Sequence, residues 1–132
     1  MSRDLSKELG SIELDFNRAS DELVAWVTGP GILIPDLGVS LSSKDPKQRD
    51  QILSNIRKGI VVHNVAIETC ERRWEAGKVL LNSEKFLFKS TYTRRWNDDH
   101  KRIISRMTTF RSDLIATYTW ICDDLGLDST LS

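Results

Sequence analysis

Two cysteines, three prolines and two histidines are all that 132 residues hold of the side chains that staple, kink or coordinate. Cys70 and Cys122 are too few and too far apart for a disulfide framework. With only His63 and His100 beside them they form no four-ligand zinc set, so no metal and no cofactor is expected. No run approaches the roughly 20 apolar residues that span a bilayer. The opening stretch Met1–Glu8 lacks an apolar core segment, which argues against a cleaved secretory signal there and places the chain in the cytoplasm. G-x-x-x-x-G-K-[ST], G-x-G-x-x-G, H-E-x-x-H and G-x-S-x-G are all absent. That leaves P-loop, dinucleotide, zinc-protease and serine-hydrolase chemistry without their carriers. An excess of either charge is missing too, with 19 basic against 19 acidic residues.

What is present is helical periodicity. A hydrophobic fraction of 39% over 132 residues supports one domain, residues 1–132, with a core of its own. Leu5, Leu9, Ile12, Phe16, Ala19, Leu23 and Trp26 step by three and four, which predicts a helix over about 3–28. Gly29-Pro30-Gly31 ends it. An apolar connector over 29–45 follows, its Ile32, Leu33, Ile34, Leu37, Val39 and Leu41 suited to packing over one end of a bundle. Asp45-Pro46 opens a second helix as N-cap and first helical residue. Its stripe runs Ile52, Ile56, Ile60, His63, Ile67, Cys70, Trp74, and Gly77 marks a stop. The β-branched run Ile60–Val65 would suit a strand as well, and phase and length decide for helix. For residues 78–92 the Ser83-Glu84 pair favours a short helix over the alternation of Phe86, Phe88, Ser90 and Tyr92. Trp96, Ile103, Met107, Phe110, Leu114, Ile121 and Leu125 stripe the last helix, closed by Gly126. The expectation is an all-α, up-and-down bundle of three to five helices.

The neutral total is segregated. Residues 1–36 carry a net −4, residues 37–111 a net +8 and residues 112–132 a net −4. Within the positive block Arg-Arg-Trp occurs twice, as Arg72-Arg73-Trp74 and Arg94-Arg95-Trp96. Each tryptophan belongs to an apolar stripe, so the arginines flank the core. Arg72, Arg73, Arg94, Arg95, Lys101, Arg102 and Arg106 thus form a candidate surface for RNA or DNA phosphates, or for an acidic protein partner. Trp120, off the stripe and level with Asp113 and Asp124, marks a candidate interface. One flank of the last helix is then basic near its start and acidic near its end. A head-to-tail or antiparallel self-contact would use that pattern, each basic half meeting an acidic half. His63 and Cys70 read as core residues, and Cys122 sits beside two aspartates that dull a thiol.

Arg95 and His100 fit R-x4-H, which resembles the short motif of the helical HEPN ribonucleases. The resemblance spans six residues and implies RNA cleavage assisted by that arginine and histidine. Spacing opposes it, since residues five apart on one helix are about 140° apart. The leading expectation is therefore a non-enzymatic helical protein that self-associates through complementary faces and binds nucleic acid on its arginine-rich middle. A small viral or phage structural protein would fit this description. An RNA-cleaving enzyme and an adaptor for an acidic partner are the alternatives.

Overall fold

The computed structural model describes residues 2–34 and 44–131. It contains three long helices: α1 (Ser2–Thr28), α2 (Pro46–Ser83) and α3 (Lys89–Leu125). A 3-10 turn at Pro30–Leu33 follows α1, and no strand occurs among the described residues. The chain is an all-α helical bundle, at the lower end of the expected helix count. The middle of the apolar connector, residues 35–43, lies outside the described residues. At its start Ile34 packs on the core, whereas Ile32 is exposed.

The capping residues do what their chemistry suggests. Asp45 stands in extended backbone and its carboxylate accepts from the N–H groups of Lys47 and Gln48, with Pro46 in the first turn of α2. Gly126 takes the left-handed conformation at φ 69°, and Leu127 N–H closes back on Cys122 O at 2.8 Å. Two expectations need correction. Gly77 does not stop α2, which continues through Ser83. Residues 78–83 are its last turns, and residues 84–88 form the connection to α3, so no separate short helix exists there.

Gly77 is instead a notch. The indole of Trp96 lies on its backbone so closely that a Cβ would overlap the ring. Gly59 is the same device further along α2, filled by Trp26 of α1. Both indoles are anchored at the polar end: Trp26 Nε1 donates to Asn55 O at 2.9 Å, and Trp96 Nε1 to Trp74 O at 3.0 Å. A glycine signal cannot distinguish a helix end from a place where another element comes close.

α2 is the central helix, and α1 and α3 pack antiparallel on it, from Trp26–Gly59 and Glu13–Arg73 on one side to Arg57–Tyr118 and Trp74–Asn97 on the other. Among the described residues no Cα of α1 comes within 8 Å of α3. The core therefore stacks along α2. One layer joins Leu53, Ile56 and Ile60 to Tyr118, Ile121 and Cys122. A second joins Ala19, Ala66, Ile67, Cys70 and Met107. The third holds Trp74, Trp96, His100 and Arg73.

Candidate functional site: an open groove and a divided arginine set

Because no Cα of α1 comes within 8 Å of α3 among the described residues, a groove opens between the two helices where they pack on α2. The cavity holds about 590 Å³, within the range of ligand and partner clefts. Phe16, Leu23, Val24 and Val27 form the α1 wall, and Ile103, Met107, Phe110 and Leu114 the α3 wall. Phe110, expected in the core stripe, is 57% exposed, and Val24 is 61% exposed. The stripe on α3 is wider than one neighbour can cover, and the surplus faces the groove.

His63 sits in the floor. Its Nδ1–H donates to Gly59 O at 2.7 Å, because a carbonyl can only accept. The ring meets Trp26 edge-on at 5.8 Å and Phe110 at 6.5 Å. The core-histidine expectation fits its 3% exposure. Arg106 and Asp113 stand on the α3 rim of the same groove, both exposed.

The arginines divide. Arg73 is embraced by α1: its Nε donates to Glu13 Oε1 at 2.6 Å, and its guanidinium lies over Phe16 at 5.0 Å and Trp96 at 4.7 Å. Arg72 faces Asp15 at 3.9 Å. Carboxylates of the acidic N-terminal block thus meet the first Arg-Arg-Trp. Arg102 pairs within α3 with Asp99, and Arg111 donates to Asn64 Oδ1 across to α2. Among the described residues Arg94, Arg95, Lys101 and Arg106 enter no ion pair, and all four are exposed.

His100 is given to Arg73 and not to Arg95. It is 1% exposed, with Nδ1–H donating to Trp96 O at 2.7 Å and Nε2 accepting from Arg73 Nη1 at 3.0 Å. Its ring centroid lies 4.3 Å from that of Trp96, tilted by 45°, and 6.3 Å from that of Trp74, nearly parallel. Burial pushes its pKa below the ordinary 6.5, and the Arg73 charge adds to the effect against the opposing pull of Trp96 O, Asp99 and Glu13. Both ring nitrogens are occupied and the neutral form is held. Arg95 stands exposed on the same uninterrupted helix, so the structure does not bring the R-x4-H pair together.

Cys70 and Cys122 are buried and unpaired, and burial raises both thiols. Among the described residues no cluster of His, Cys, Asp or Glu could hold a metal ion. No described helix is long and apolar enough to cross a membrane. Trp120 differs from expectation: it is half-buried and packs against the first core layer. Asp113 and Asp124 are exposed as their positions suggested.

Sequence reasoning missed the groove and the Glu13–Arg73–His100 cluster. The partners of Arg73 lie 60 and 27 residues away, and no local spacing marks them. Fold and site together define a three-helix bundle with an uncovered apolar seam. Compared with known proteins, the chain matches no family model, no curated protein and no solved structure.

Proposed function

We propose that the protein is a non-enzymatic helical assembly module, acting in the cytoplasm, whose working surface is the groove face formed by α1 and α3. The supporting observation is the groove itself. Two helices present Val24, Val27 and Phe110 to solvent along a groove with apolar walls, and contiguous apolar surface of this kind serves association. Sedimentation velocity over a range of protein concentration and salt tests the reading. Reversible association is the expected result, and a monomer under every condition overturns it.

A second reading rests on a different observation. Arg94, Arg95 and Lys101 are exposed on the first half of α3 with no carboxylate engaged to them among the described residues. A mixed set of arginine and lysine on one helix suits phosphate binding, and its affinity would fall steeply with salt. Mobility shift with a short RNA or DNA, against Arg94→Glu with Arg95→Glu, checks it. No shift at low salt would end this reading and leave the assembly reading untouched.

A further inference from the structure

We infer that the occupant of the groove face is a second copy of this chain, docked about a two-fold axis that crosses α3 between Thr109 and Phe110. The inference rests on the assembly reading above and adds its partner and register.

The argument starts from three residues on the groove side of α3. Arg106, Phe110 and Asp113 follow at i, i+4 and i+7, so they share one face over two turns. Phe110 is the exposed apolar centre, at 57%. Arg106 lies one turn before it and Asp113 one turn after. Neither charge has an ion-pair partner among the described residues. They cannot satisfy each other, because pairs on one helix form at three or four residues, not seven. Both stand at the rim of an apolar groove.

A two-fold contact brings each residue i opposite j and each j opposite i. Arg106 and Asp113 are equidistant from the point between Thr109 and Phe110. Two antiparallel copies of α3 meeting there place Arg106 against Asp113 of the second copy, twice, with the two Phe110 rings between the pairs. Charges outside, aromatic rings at the centre: this is the layout of a self-complementary interface. The same axis sets Arg95 opposite Asp124 of the second copy and Arg102 opposite Thr117. With Arg106 and Asp113 these make six positions, and they share the flank on which the basic-to-acidic gradient of α3 was found. A helical partner of another sequence would need no such symmetry of sign about one point. The two grooves then face each other, and Val24 and Val27 of α1 enter the covered surface.

Charge reversal at the two rim positions provides the test, and both are exposed, so the fold is retained, as far-UV circular dichroism would verify. Arg106→Asp alone sets aspartate against aspartate, and Asp113→Arg alone sets arginine against arginine. Each is expected to weaken self-association by roughly a hundredfold, since like charges brought together cost several kcal/mol. Mixed in equal amounts, the two variants restore both pairs, and association returns as a complex holding one of each. If either single variant associates as wild type does, or if mixing restores nothing, the register is wrong while the assembly reading survives. A wild-type chain that never associates removes both. Cysteine pairs give an independent check against the buried Cys70 and Cys122. Arg106→Cys mixed with Asp113→Cys should give a mixed disulfide, and neither variant should cross-link to itself. Self-cross-linking of either would contradict the axis.

Discussion

The two Arg-Arg-Trp segments send their tryptophans into one core layer, and their arginines to opposite fates. In the first, Arg73 is wedged between Glu13, Phe16, Trp96 and His100, while Arg72 faces Asp15. In the second, Arg94 and Arg95 stand in solvent with no ion pair among the described residues. The cause is topological. α2 is the central helix, so its flanks meet α1 and α3, whereas among the described residues α3 has α2 as its one neighbouring helix. Identical tripeptides thus become a structural joint on α2 and an open charge on α3. A motif carries no function of its own until the fold decides who faces it.

The largest break in this comparison comes at the tryptophans. Trp96→Ala should destabilise by about 3 kcal/mol, because the indole fills the Gly77 notch, packs tilted against His100 and lies beneath Arg73. Chemical denaturation with an unchanged slope would verify it. Loss below about 1 kcal/mol would mean that the joint is not as packed as described. Next come the arginines. Arg73→Ala should cost about 2 kcal/mol through its half-buried charge-assisted hydrogen bond and lost stem packing. Arg95→Ala should stay within about 0.5 kcal/mol, as exposed helix sites do. Equal effects at the two positions would erase the distinction between them.

The smallest effect is on pH. His100 has a folded pKa below its unfolded 6.5, so the unfolded chain takes up a proton that the folded chain refuses. The stabilisation is therefore complete above pH 6.5 and drains away as pH falls through the folded value. Thermal melts between neutral and mildly acid pH should show this decline, and His100→Gln should flatten it. An unchanged slope in that variant would show that His100 does not set it.

The helices were legible in the sequence because their cause is local. Stripes at three and four residues, the Asp45-Pro46 start and the Gly126 stop each act within a turn or two. The Ser83–Lys89 connection was not, because Gly77 reads alike as a helix end and as a notch, and only Trp96 decides between them. Phe88 closes that connection in the left-handed conformation at φ 63°, which no aromatic residue signals in advance. Part of the site was visible: Arg106, Asp113 and the basic-to-acidic flank of α3 follow from counting along one helix. The groove was not, for it exists only because two helices whose Cα atoms stay more than 8 Å apart among the described residues pack on a third. Phe110 shows the limit. Its position on the stripe is correct, and its exposure depends on the width of the gap beside it.

The central claim is that this gap, and not simply any exposed apolar side chain, makes the protein associate. Leu87 provides the control, since at 78% exposure it is more open than Phe110 and lies outside the groove, in the connection between α2 and α3. Sedimentation velocity on wild type, Phe110→Asp and Leu87→Asp compares them directly. The account predicts that Phe110→Asp sediments as a monomer where wild type and Leu87→Asp associate. Association that survives Phe110→Asp and disappears with Leu87→Asp would contradict it.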